Sequence, residues 1–172
     1  MGLYLEKSLK EKAEVPEVNQ DDIDQALQRI QRWENSTSGE NVATVRRDLQ
    51  RVMQEDFGVF RDGPSMESGL VRLAAIRERL DNVHLPDKSK VFNTARVEAL
   101  ELDNLMAVAM ASAVPAAKRQ ESRGAHSRLD FPKRDDKNWL KHSVYFEEGR
   151  LAFRAVNMKP TEVDPIPPKE GE

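Results

Sequence analysis

The chain has 172 residues, 38% apolar, 33% charged and 6% aromatic, with a mean hydropathy of −0.70 and no cysteine. That length suffices for a core built from aliphatic side chains, whereas the lack of cysteine excludes disulfide scaffolds, Cys-ligated zinc or iron–sulfur sites and a thiol nucleophile. With 27 Lys and Arg against 30 Asp and Glu the formal charge is −3, so nothing global attracts nucleic acid or anionic lipid. The longest apolar run, from Leu105 to Ala117, is broken by Ser112 and Pro115 and falls short of the roughly 20 residues a membrane span needs. No secretory signal precedes it, and a reducing, soluble setting is expected.

Met1 to Lys12 reads as a helix face, with Leu3, Leu5 and Leu9 among Lys and Glu, but no capping residue precedes it. The start fits a cut through a longer protein as well as it fits a frayed natural terminus. Val15-Pro16 breaks this helix, and Asn19, with Asp22 three residues on, opens a second one striped by Ile23, Ala26, Leu27, Ile30 and Trp33. After a polar loop from Ser36 to Asn41, a third helix is expected to carry Val42, Val45, Leu49, Val52, Met53 and Phe60 at near-heptad spacing. Asp62-Gly63-Pro64 ends it and starts a fourth, striped by Met66, Leu70, Leu73, Ile76, Leu80 and Val83. Short loops between such stripes predict an antiparallel bundle.

Beyond His84-Leu85-Pro86, Asn93 or Thr94 opens the longest helix. It is apolar nearly all round from Leu105 onward, which predicts Leu105, Met106, Val108, Met110, Ala113 and Val114 as central core and a kink or end at Pro115. From Lys118 to Lys137 the composition changes to seven cationic and four anionic side chains with the breakers Gly124 and Pro132, an ordered loop or interaction segment. Ser143 to Ala155 then alternates as a hairpin turning at Glu148-Gly149, which needs something to pack on, and a proline-rich tail follows from Pro160.

Little in the chain suggests catalysis. His84, His126 and His142 lack the i,i+4 spacing of a helical ligand pair and no carboxylate-rich motif joins them, which argues against a metal site. Ser122 and Ser127 near His126 lack the G-x-S-x-G elbow of a hydrolase. The eight glycines stand singly, so no phosphate loop and no Rossmann-type dinucleotide site exists. The one dense constellation is Glu121 to Asp136, where Arg123, Arg128 and Arg134 alternate with Glu121, Asp130, Asp135 and Asp136 beside Gly124 and His126. On composition it reads first as a solvated charged loop, because exposed ion pairs contribute little. The sharper reading is a surface whose arginine forks fix carboxylates or main-chain carbonyls of a neighbouring domain or subunit, with Gly124 allowing close backbone approach. Nucleic-acid binding comes third, since only Phe131 and Trp139 are near enough to stack.

These residues carry a resemblance. Glu121-Ser122-Arg123-Gly124-Ala125-His126-Ser127-Arg128, then Asp130-Phe131-Pro132, Arg134-Asp135-Asp136, Asn138-Trp139 and His142, closely resemble the C-terminal region of succinate dehydrogenase flavoprotein subunits. Phe57 to Gly63, Ile76 to Leu80, Phe92 to Glu98, Leu100 to Met106, Val156-Asn157-Met158 and Pro167-Pro168-Lys169 match the same family in order, so the resemblance covers essentially the whole chain. Fumarate reductase and aspartate oxidase flavoproteins share parts of it, the arginine-glycine-x-histidine core above all.

The resemblance implies a mainly α fold: an antiparallel three-helix bundle of spectrin-repeat type over residues 1–117, followed by a small α+β C-terminal domain over 118–172 with the charged loop, the β-hairpin and the Pro-rich tail. It implies that FAD, its linking histidine and the substrate-binding residues lie in preceding FAD-binding and capping domains, so no catalytic, cofactor-binding or metal residue is carried over. The implied parent oxidises succinate to fumarate on FAD and passes electrons to an iron–sulfur subunit of a quinone-reducing complex. It would sit on the inner face of the bacterial inner membrane, or on the matrix side in mitochondria, without inserting into the bilayer. In this reading the portion braces the flavin domain and contacts neighbours through Arg123, His126, Arg128, Asp130, Arg134 and Asp135. The alternative is a free-standing helical adaptor that uses the same charged loop.

Overall fold

A computed structural model describes residues 2–11, 17–146 and 149–159. The break expected at Val15-Pro16, the Glu148 half of the hairpin turn and the tail from Pro160 lie outside the described residues. The chain forms two compact units, Met1–Glu34 and Asn35–Glu172.

The first unit holds α1 (Gly2–Lys10) and α2 (Gln20–Gln31). No residue of either helix is buried. The Asn19 side chain caps α2 by accepting from the Asp21 amide at 3.0 Å, and Asp21 and Asp22 complement the positive end of the helix. Trp33 is buried, with the Arg32 guanidinium 4.1 Å from the ring centroid.

The second unit is mainly α, an antiparallel bundle of α3 (Val42–Asp56), α4 (Gly63–Arg79) and α5 (Thr94–Lys118). Between α3 and α4 lies the short strand β1 (Phe60–Arg61), which pairs in parallel with β2 (Ser127–Arg128) beyond α5; the single turn α6 (Asp136–Trp139) and the antiparallel hairpin β3 (Lys141–Tyr145) and β4 (Leu151–Ala155) follow. Each bundle helix begins on a side chain that satisfies its free amides. Asn41 accepts from Ala43 and Thr44, Asp62 from Ser65, and Asn93 from Arg96. Val45, Leu49 and Val52 of α3, Met66, Leu73 and Ile76 of α4, and Leu102, Met106, Ala109 and Ala113 of α5 form the buried stripes, with Leu80, Val83 and Leu85 closing one end. Each large aliphatic among them contributes about 1.5–3 kcal/mol by leaving water.

Three sequence expectations need correction. Phe60 is not on α3; it stands in β1 and is 72% exposed. The helix stops at Asp56, and Phe57 takes the core position instead, its amide closing on the Met53 carbonyl at 3.2 Å. Leu105 and Val108 are exposed, and Met110 and Val114 are only half-buried. A helix touching two neighbours on one side buries a single 3.6-period stripe however apolar the rest is. Pro115 does not end α5, which continues to Lys118.

Gly69 marks the closest approach of two helices. A Cβ there would lie 2.6 Å from both Asp56 Cβ and Phe57 Cε2. Arg72 reaches across the same crossing to Asp56 at 2.8 Å and Glu55 at 2.7 Å. At an open mid-helix position Gly→Ala stabilises by about 1 kcal/mol. Here Gly69→Ala is expected to destabilise by about 1–3 kcal/mol through overpacking, read as a lower urea midpoint; a midpoint at or above that of the unsubstituted chain would show that the helices have room to part.

Candidate functional site

The charged segment begins where α5 ends. Arg119 leaves helical geometry (φ −78°, ψ 117°), and the extended chain that follows puts residues 119, 121 and 123 on one side. Glu121 points inward and is fully buried. Its Oε1 accepts from Arg119 Nη1 and from Arg123 Nε at 2.8 Å; its Oε2 accepts from Arg123 Nη2 at 3.0 Å and from the Asp135 amide at 2.8 Å. Four donors therefore fill the lone-pair directions of one carboxylate. Burial by itself would push the Glu121 carboxyl up, but Arg123, the Asp135 amide and Arg119 together hold it below the usual glutamate value.

Arg119 spends its other donors on the hairpin, reaching the Trp139 carbonyl at 2.9 Å, the Lys141 carbonyl at 2.7 Å and Ser143 Oγ at 3.3 Å. Arg123 also binds Asp136, which in turn receives Arg134. These two arginines hold the Asp136 carboxyl far below its ordinary range. Asp135 caps α6 through the Asn138 amide at 3.1 Å and the Asn138 side chain at 2.7 Å.

Arg128, 3% exposed, joins two helix ends. Its Nη1 donates to the carbonyls of Arg119 at 2.8 Å and Ala117 at 3.3 Å at the C-terminus of α5, while Nε and Nη2 clamp Asp130 at 2.7 and 2.6 Å. Asp130 Oδ2 accepts the Gly63 amide, the first of α4, at 2.9 Å. The cation thus meets the negative end of one helix and the carboxylate the positive end of another. Arg128 first, then the Gly63 amide, draw the Asp130 carboxyl down to about 2 from its ordinary 3.8.

His126 sits behind this pair. Arg61 Nη1 lies 2.9 Å from His126 Nδ1, and since a guanidinium can only donate, Nδ1 accepts and the proton is on Nε2, facing the Arg119 carbonyl at 3.4 Å. Burial, with Arg61, Arg128 and Arg119 nearby, keeps the ring neutral by lowering its pKa. Gly124 stands in the turn between Arg123 and His126 with φ 54° and open space where a Cβ would be. Its requirement is the left-handed backbone and not the close approach expected from sequence.

All six residues singled out from sequence thus gather in one network, with Arg128 buried, Arg123, His126, Arg134 and Asp135 half-buried and Asp130 exposed. The solvated-loop reading fails, because Glu121 and Arg128 are buried. Sequence reasoning missed Glu121 as the hub, and Arg119 and Arg61 as participants. The alternation Arg119, Glu121, Arg123 was the available signal for the first two; nothing marked Arg61. Chemically the cluster holds and positions: every arginine in it is engaged by a carboxylate or a carbonyl, and among the described residues no group of three metal-ligating side chains occurs. Beside it opens a cleft of about 480 Å3 lined by Arg119, Arg123, His126, Trp139, Lys141 and His142, among others.

A family model described as the C-terminal part of fumarate reductase flavoproteins matches residues 46–172. The succinate dehydrogenase flavoprotein subunit of Coxiella burnetii is 54% identical over all 172 residues, which span 29% of that relative. The mitochondrial succinate dehydrogenase flavoprotein subunit of Oryza sativa is 37% identical over 145 residues, covering 81% of this chain and 23% of the relative. A solved quinol–fumarate reductase, in a structure with menaquinol molecules, superposes with a TM-score of 0.77 at 34% identity, covering 94% of this chain and 29% of that one.

Two outcomes follow from the cluster. Glu121→Gln leaves Arg119 and Arg123 sharing no charge and is expected to cost about 3–5 kcal/mol, measured by urea unfolding at pH 7; a loss below about 0.5 kcal/mol would mean the carboxylate is dispensable. For pH the signs differ in position but not in direction. Asp130 and Glu121, both depressed, stabilise fully above the ordinary carboxylate values, and Asp130 loses its contribution as pH falls from 3.8 toward about 2. His126, depressed from 6.5, makes stability fall once pH drops below 6.5, because the unfolded chain then takes up a proton that the folded ring refuses. A His126→Gln variant should lose this upper step between pH 7 and pH 5; an unchanged step in that variant would assign it to another group.

Proposed function

The chain belongs to the succinate dehydrogenase and fumarate reductase flavoprotein family, and we propose that it serves as the C-terminal brace of a succinate-oxidising flavoprotein subunit. The observation that carries this reading is 54% identity over all 172 residues to a succinate dehydrogenase flavoprotein subunit. The free-standing adaptor is not favoured by these relatives. In the parent, bound FAD would supply the two-electron acceptor for the loss of two electrons and two protons from succinate as fumarate forms. The residues of this chain do not fit that cofactor: its glycines stand singly and form none of the grouped-glycine turns that bring backbone amides to a pyrophosphate. No step of the oxidation is therefore assigned to it.

Its residues hold shape. The bundle of α3, α4 and α5 supplies a support, to which Arg119, Arg128 and Asp130 fix the segment that follows it. The buried Arg128, with His126 and Asp130, sets the form of the segment, while the partly exposed Arg123, Arg134 and Asp135 are offered to the FAD-binding and capping domains and to the iron–sulfur subunit. No described helix is long and apolar enough to cross a membrane. The subunit we infer is peripheral, on the cytoplasmic or matrix face of a membrane-bound quinone-reducing complex.

The test uses the chain alone and the longer protein that contains it. The chain alone should be colourless and inactive with succinate and an artificial electron acceptor, and one equivalent of bound flavin would overturn the assignment of the cofactor elsewhere. In the longer protein, Arg134→Glu should weaken co-purification of the iron–sulfur subunit while the unfolding free energy of the chain changes by no more than about 0.5 kcal/mol. Unimpaired assembly would remove Arg134 from the interface.

A further inference from the structure

The cleft beside the cluster has a charge surplus that nothing within it answers. Of its lining cations, Arg119 and Arg123 are already paired with the carboxylates Glu121 and Asp136. Lys141 is a third, with no carboxylate at ion-pair distance among the described residues, and the exposed His142 lies beside it. The ammonium is nonetheless held. It lies 4.8 Å from the Trp139 ring centroid and 4.3 Å from that of Phe153, two rings locked edge to face at 5.8 Å. Arg119, fixed by its bonds to Glu121 and β3, lies 5.2 Å over the other partner, Trp139. A cation pinned on aromatic faces loses little freedom when an anion arrives, so the site is organised for one before binding. Pro115, Ala116 and Val156 give the cleft an apolar wall.

We infer that this cleft docks an acidic peptide segment, a carboxylate meeting Lys141 and its neighbouring side chain lying along Trp139 and the apolar wall. The inference rests on the reading of the chain as part of a longer flavoprotein, and it commits to a segment of that same polypeptide. The chain spans 29% of its relative, and the remainder is tethered at high effective concentration. Charge complementarity and the open form of the cleft favour a peptide over a buried small molecule.

Two measurements test this. In the full chain carrying Trp33→Phe, Trp139 is the sole indole, and its fluorescence reports the cleft directly. An acetylated hexaglutamate peptide should shift it saturably and a hexaglutamine peptide should not, with Lys141→Glu and Lys141→Gln each weakening binding, the former by about tenfold or more. Equal responses to both peptides, or no effect of either substitution, overturn the site. In the longer protein, a zero-length carbodiimide cross-link should join Lys141 to an Asp or Glu that precedes this region in the same polypeptide. A link to a separate subunit, or none, overturns the occupant. Absence of succinate oxidation by the longer protein would remove the functional reading while the titration still judged the cleft, and oxidation without the cross-link would remove the occupant alone.

Discussion

The second unit depends on one carboxylate taken out of water. Glu121 is tolerable at zero exposure only because two guanidinium groups and a main-chain amide fill its acceptor directions. Removing a carboxylate from water costs several kcal/mol, and its attraction to a partner offsets that only when geometry is good and no lone pair is left over. That condition fixes its surroundings. Arg119 must lie where it can also reach the carbonyls of Trp139 and Lys141, Arg123 where it reaches Asp136, and the amide of Asp135 must face back toward the end of α5. One buried charge thereby sets the path of a segment with little apolar side chain of its own.

The helices were most legible in the sequence where a capping residue and a helical repeat coincided. Asp62 and Asn93 announced starts by their capping chemistry, and Val45, Leu49, Val52, Leu73 and Ile76 repeated at the helical period. Where a single signal stood alone it misled. Apolarity around α5 could not tell which stripe would meet the bundle, so Leu105 and Val108 read as core, while the small residues Ala109 and Ala113, which let helices approach, hold those places. Phe60 continued the spacing of α3, but the helix had already closed at Phe57.

The site was legible as a list of residues and not as an arrangement. Alternating arginines and carboxylates look the same whether solvated or paired inside, since spacing fixes only which side of an extended chain they share. What decided between the two was distant in sequence: the end of α5, the first amide of α4 and Arg61 on β1. The match to flavoprotein C-terminal regions located the segment without supplying that geometry. The contacts of Arg128 and Asp130 cross the division at residue 117 and reach the ends of two bundle helices.

The Arg128–Asp130 pair gives that last point its consequence. One ion pair ties the carbonyl end of α5 to the amide end of α4, so lifting the segment away uncovers unsatisfied groups on two helices at once. Partial opening is then costly at both ends, and the bundle and the segment should behave as a single cooperative unit. A push delivered to the exposed side of the segment would therefore reach α4 and α5 together, and segment and helices would yield as one stiff element.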